Sequence, residues 1–169
     1  MGANFQAIVD VEATAEEADE LADATLAWLV GTGVVSAADQ VSRNEVSTAQ
    51  GLEILTGRNV FYSLTGEQWL TCAHCDWTTD PGHTRIGDHV GEWAELTDTI
   101  GRWYDGGSGD LSCPNCDRAA SLNDWHWSPP WGFGCFGLRF WHWPTLSPAF
   151  LAEVSARLGH RTVYPYGKL

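Results

Sequence analysis

The sequence predicts an α+β fold, and three observations lead there. Each end of the chain reads as a strand, an amphipathic helix and a further strand, in that order. Between the ends lie two Cys-x-x-Cys pairs in a section of different character. The chain has 169 residues, 44% hydrophobic and 18% charged, which suits one large domain or two small ones with a real core. Two strand–helix–strand halves are what a split βαβ, ferredoxin-like sheet requires. The expected organisation is one compact unit. Residues 1–66 and 129–169 form its halves, and a four-cysteine section at residues 67–128 is inserted between them.

Asn4–Val11 reads as a strand because Phe5, Ala7, Val9 and Val11 alternate with second-face residues. Thr14-Ala15-Glu16-Glu17 has the form of a capping box, in which hydroxyl and carboxylate each take an orphan backbone N–H. Ala18, Leu21, Ala22, Thr25, Trp28 and Leu29 then recur at helical spacing, and Gly31 can close the helix. Residues 32–51 read as loop. Leu52–Leu55 and Val60–Ser63 read as two short strands around the turn signal Thr56-Gly57-Arg58-Asn59.

At the other end, Gly137–Trp143 reads as a strand broken by Pro144. Ser147 is a cap, Pro148 suits the first helical position, and Leu146 and Leu151 sit where a hydrophobic staple places them. Phe150, Leu151, Val154 and Leu158 supply the apolar stripe, Gly159 ends the helix, and Arg161–Tyr166 closes the chain as a strand.

The chemistry lies in the middle. Leu70-Thr71-Cys72-x-x-Cys75-Asp76 and Leu111-Ser112-Cys113-x-x-Cys116-Asp117 are a short internal repeat. Two thiolates three positions apart in a tight turn converge on one point, and two such turns supply four soft ligands for a tetrahedral metal. Cys72, Cys75, Cys113 and Cys116 are therefore the candidate ligands of a structural Zn2+. The gap between the pairs is long for a compact site. Val90, Trp93, Leu96, Thr97, Ile100 and Trp103 account for it by predicting an inserted helix. A redox dithiol at Cys113-Pro114-x-Cys116 lacks the strand and helix context such motifs have. A catalytic zinc is disfavoured because four cysteines leave no open coordination position.

Other candidates have less behind them. His74 lies inside the first pair and reads as an exposed bystander. His83 and His89, with Asp80 or Asp88, have the residue types of a second metal site. Cys135 reads as a small buried hydrophobe. Ten tryptophans are a heavy load, and Trp-His-Trp occurs at 125–127 and 141–143. They read as aromatic core, with a ligand platform as the other possibility. There is no GxSxG, P-loop, dinucleotide Gly pattern or HExxH.

Over roughly residues 68–122 the cysteine motifs resemble zinc-ribbon knuckles, although Asp76 and Asp117 stand where such knuckles often have Gly. Asp tolerates left-handed geometry better than most residues. A second resemblance lies in the tail. Trp131-Gly132-Phe133-Gly134, Phe140-Trp141-His142-Trp143-Pro144-x-Leu146-Ser147, Leu158-Gly159-His160-Arg161 and Gly167-Lys168-Leu169 look like a set of short bacterial proteins of uncharacterised function. That likeness implies a stand-alone cytoplasmic zinc-containing protein and supplies no activity.

Charge narrows the partners. With 22 Asp+Glu against 9 Lys+Arg the net charge is −13, the wrong sign for a duplex nucleic-acid binder. The acids crowd residues 1–53, where Arg43 is the sole base, and Glu16, Glu20 and Asp23 share one helix face. No run is long and apolar enough to span a membrane, and the start lacks the layout of a signal peptide. The expected function is a non-enzymatic, metal-stabilised binding or regulatory module, meeting a protein partner with a basic surface. Two alternatives stand beside it. One is an enzyme with a Trp/His-lined C-terminal pocket and His126 or His142 as acid–base group. The other is an acidic inhibitor or immunity-type protein.

Overall fold

The computed structural model of the chain describes residues 3–45, 49–63, 66–79 and 92–168. The chain divides into two units, residues 1–65 with 131–169, and residues 66–130. The first unit holds β1 (Asn4–Asp10), α1 (Ala18–Gly31), β2 (Gln40–Arg43) and β3 (Gly51–Phe61). The second holds β4 (Trp69–Thr71), α2 (Glu92–Tyr104), β5 (Asp110–Ser112), β6 (Ala119–Ser121) and β7 (His126–Ser128). The chain then returns to the first unit with β8 (Gly132–Trp141), α3 (Pro148–Leu158), β9 (Thr162–Val163) and β10 (Tyr166–Lys168).

The sheet of the first unit is mixed and runs β10-β1-β8-β3-β2, with β9 also paired to β1. β8 is antiparallel to β1 on one side and to β3 on the other. β10 and β9 are antiparallel to β1, whereas β2 runs parallel to β3. Every residue of β8 is buried. One face carries Ile8, Leu52, Ile54, Leu138 and Phe140, packed with Ala18, Ala22 and Leu29 of α1 and Val154 of α3. The opposite face carries Phe5, Ala7, Val9, Leu55, Phe61 and Trp141. Gly137 is required there: a Cβ on it would lie 2.3 Å from the Phe61 ring.

Local chemistry sets the helix ends. Glu17 Oε2 accepts from the Thr14 N–H at 3.0 Å, and the Glu17 N–H donates back to Thr14 Oγ1 at 3.4 Å, so the box closes the turn that precedes α1, while Glu17, the N-cap of the regular helix from Ala18, makes no side-chain cap bond. Ser147 Oγ accepts from Phe150 N at 3.1 Å, Pro148 opens α3, and Gly159 at φ 70° ends it in the left-handed conformation.

Four expectations need correction. β3 is one strand, not two. Gly57 at φ 83° and a register shift between Thr56 and Asn59 absorb the turn signal as a bulge, so the strand bends and continues. β2 lies within residues read as loop. It is an edge strand with one apolar residue, Val41, and it is held to β3 by ladder bonds that leave no hydrophobic pattern. β8 starts at Gly132, five residues early, in a glycine-rich stretch of low strand propensity. The closing strand is two short pieces interrupted at Pro165, which has no N–H for a ladder.

Two buried polar contacts tie this unit together. Glu53 of β3 faces Arg139 of β8 in register. Its Oε2 accepts from Arg139 Nη1 at 3.1 Å and from Trp141 Nε1 at 2.9 Å. The guanidinium lies 5.4–5.5 Å from the centroids of Phe5, Phe61 and Trp141. Glu53 Oε1 and Arg139 Nε have no hydrogen-bond partner. Removing one charge strands the other in an apolar setting. Glu53→Ala should cost ~3–5 kcal/mol by urea denaturation, and the double variant Glu53→Leu/Arg139→Met should recover most of it. A loss below ~1 kcal/mol for the single variant would show that the pair is not desolvated.

The other contact is at the end of β1. Asp10, fully buried, accepts from Glu12 N at 3.0 Å and Ala13 N at 2.8 Å through Oδ1, and Oδ2 lies 2.8 Å from His160 Nδ1. That bond to Asp10 raises the His160 pKa above its ordinary 6.5 against the opposing effect of burial, and Glu17 and Glu12 add to the rise. A raised folded-state pKa means that the stabilisation is full below the ordinary value and is lost as pH rises through the folded one. The melting temperature of the native chain should therefore fall more than that of His160→Gln between about pH 6 and about pH 9. Parallel falls would show that the pair contributes nothing through charge.

Candidate metal centre

The sequence repeat becomes a structural repeat. β4 leads into the first knuckle, where Cys72 N donates to Trp77 O at 2.8 Å and Asp76 N donates to Cys72 O at 3.1 Å. β5 leads into the second, where Cys113 N donates to Arg118 O at 3.0 Å and Asp117 N donates to Cys113 O at 2.9 Å. Asp76 at φ 58° and Asp117 at φ 56° take the left-handed conformation that lets each turn close. Each knuckle is finished by chain on its far side. Thr79 N donates to Leu70 O at 3.0 Å after the first, and β6 pairs with β5 after the second. β7 pairs with β4. α2, with Leu96 buried, is the inserted helix that the spacing predicted.

These turns bring four sulfurs together. The ligand atoms of Cys72, Cys75, Cys113 and Cys116 all lie within 4.8 Å of one another. Cys72 Sγ is 4.0 Å from Cys116 Sγ, and Cys75 Sγ is 3.7 Å from Cys113 Sγ. A tetrahedron with metal–sulfur bonds of about 2.3 Å has edges of about 3.8 Å, which fits both separations. A disulfide needs about 2.05 Å, and all four cysteines are free. The set can hold a metal ion.

Hydrogen bonds favour sulfur in its charged form. His74 N donates to Cys72 Sγ at 3.4 Å, and Asn115 Nδ2 donates to Cys75 Sγ at 3.5 Å. The Asn115 amide, followed by the Trp77 backbone N–H, brings the Cys75 thiol down to about 6. Burial pushes Cys113 up to about 11, despite the N–H groups of Asn115 and Cys116 on its sulfur. Cys75 and Cys113 are thus pushed in opposite directions, one by hydrogen bonds and the other by burial. A metal cation held by Cys72, Cys75, Cys113 and Cys116 would supply the positive charge that favours their thiolate forms.

The remaining candidates are spread through the fold. His74 is exposed, and its Nε2 donates to Ala119 O at 3.2 Å, away from the sulfurs. His83, His89, Asp80 and Asp88 lie outside the described residues. Cys135 is buried in the first unit, where desolvation raises its pKa. His126 and His142 are exposed, Trp125 and Trp141 are buried, and the Trp141 indole is bound to Glu53. Asn115 and Arg118, which bond to Cys75 Sγ and to His74 O, were not singled out from sequence. The one signal for them is their place within and just after the second knuckle. Comparison with protein-family models, with curated proteins and with solved structures finds no match.

The left-handed aspartates make the knuckle geometry testable. Asp117→Gly should preserve stability and metal affinity, whereas the β-branched Asp117→Val should cost ~1–2 kcal/mol of stability. Chemical denaturation of the two variants, side by side, measures the difference. Equal stabilities would mean that the turn does not need this conformation.

Proposed function

We propose that the chain is a zinc-binding protein, a non-enzymatic binding or regulatory module whose structural zinc is held by Cys72, Cys75, Cys113 and Cys116. The observation that carries this reading is the doubled knuckle that sets four sulfurs at tetrahedral separations. Four thiolates fill the coordination sphere and leave no position for substrate, which favours structure over catalysis. The purified chain should contain one zinc per molecule by elemental analysis, and complete chelation should loosen residues 66–130 in hydrogen exchange. Iron in place of zinc, or less than half an equivalent of metal with four titratable thiols, overturns the reading.

The carrier of this site is, in the same reading, a split βαβ (ferredoxin-like) scaffold with the ribbon inserted. In its support, β1 and β3 flank β8, both helices α1 and α3 pack on one sheet face, and β10 lies beside β1. The tail's likeness to short bacterial proteins and a cytoplasmic location belong to this proposal too. Among the described residues no helix is long and apolar enough to cross a membrane.

The partner we propose is a protein with a basic surface that meets α1 and the turn before it. Glu12, Glu16, Glu17, Asp19 and Glu20 are exposed there, while Asp23 of the same helix is paired with Arg43. Such a field speeds encounter and is screened over ~8 Å at physiological salt. The expected result is a low-salt association whose on-rate falls with ionic strength and falls again in Glu16→Lys/Glu20→Lys. Sub-micromolar binding to duplex DNA at physiological salt, read by fluorescence anisotropy, would contradict this assignment of charge.

A further inference from the structure

We infer that Cys116 is the sulfur at which soft electrophiles modify the metal-loaded centre. The inference rests on the zinc reading above. Cys72 and Cys113 are buried, whereas Cys75 and Cys116 are half-buried, so a reagent from solvent reaches the latter pair.

The two differ in how they are braced. The internal repeat places Asn115 of the second knuckle at the position of His74 in the first. Asn115 reaches across to Cys75 and donates to its sulfur at 3.5 Å. The reciprocal contact, from His74 to Cys116, is not made. His74 Nε2 donates instead to Ala119 O at 3.2 Å, and Arg118 Nη2 donates to His74 O at 2.9 Å, which holds this arrangement in place. Among the described residues no side-chain N–H donates to Cys116 Sγ, whose neighbour is Cys72 Sγ at 4.0 Å. A charge-assisted hydrogen bond withdraws electron density from a thiolate and lowers its nucleophilicity. Cys116 is therefore both accessible and the more nucleophilic of the two.

With a haloacetamide the step is a simple displacement. A lone pair of the Cys116 thiolate attacks the methylene carbon, the new C–S bond forms, and the C–I bond breaks with its electron pair leaving on iodide. No proton is released, because the sulfur is already deprotonated. The resulting thioether is neutral and a weaker ligand, so the metal is held by three thiolates.

The test treats the zinc-loaded full chain with substoichiometric iodoacetamide and maps the label by peptide mass spectrometry, while a chromogenic chelator reports released zinc. Cys116 should lead Cys75 by about tenfold, the factor that one hydrogen bond to a charged acceptor is worth. Asn115→Ala should bring Cys75 up to the level of Cys116. First labelling at Cys75, Cys72 or Cys113, or an Asn115→Ala variant with the preference unchanged, overturns the inference. Elemental analysis of the same sample separates the two failures. Zinc present with label elsewhere defeats this inference alone, and a chain without zinc defeats both readings.

Discussion

The antiparallel pairing of β3 with β8 is the contact on which the rest of the molecule depends. It joins segments that lie on opposite sides of the whole inserted unit, from Gly51 opposite Trp141 to Phe61 opposite Gly132. Until it forms, β8 has no place, and without β8 neither β1 nor the C-terminal strands have a sheet to join. Such a non-local pairing closes a long loop, and the entropy of closure must be offset by burial along both faces. The sequence meets that demand by burying β8 on both sides, with Phe136, Leu138 and Phe140 under the helices and Trp141 beside the paired Arg139 on the other face.

The same pairing carries the buried ions. A slip of one residue between β3 and β8 would turn one of Glu53 and Arg139 toward the helix-covered face and leave the other behind, separating the pair across the sheet. A charged pair in that position penalises wrong registers more than it stabilises the right one, given that one carboxylate oxygen and one guanidinium nitrogen have no partner. Two aromatic rings and an indole around the guanidinium reinforce that selectivity, since the cage exists in only one register.

What could be read from the sequence was local chemistry. Thr14 and Glu17, Ser147 and Pro148, and Gly159 each act within a few residues, so their hydrogen bonds and φ values are implied by the string of letters itself. The sulfur cluster was legible for a related reason. A repeated turn fixes two ligands at a time, and four soft ligands have few other uses. What stayed hidden depends on partners far away in the chain. Gln40–Arg43 becomes a strand through its ladder with β3, and nothing in its own residues says so. Gly57 looked like the end of a strand, because a positive φ serves a bulge and a turn equally well. Glu53 and Arg139, 86 positions apart, look like surface charges until the sheet puts them opposite each other.

The register of the last pair in that ladder has an architectural consequence. Phe61 and Gly132 are cross-strand partners, so the chain leaves the sheet and re-enters it at adjacent points. To the ladder, the chain between them is a long hairpin connection, begun and ended by Tyr62 and Trp131, whose rings pack together at 5.1 Å. The four-cysteine section is in this sense a cassette, plugged into a turn site whose only requirement is that the two ends arrive side by side. A short two-residue turn would satisfy that requirement as well as a ribbon does. The ladder itself thus sets a condition on where the inserted section begins and ends, and none on its sequence.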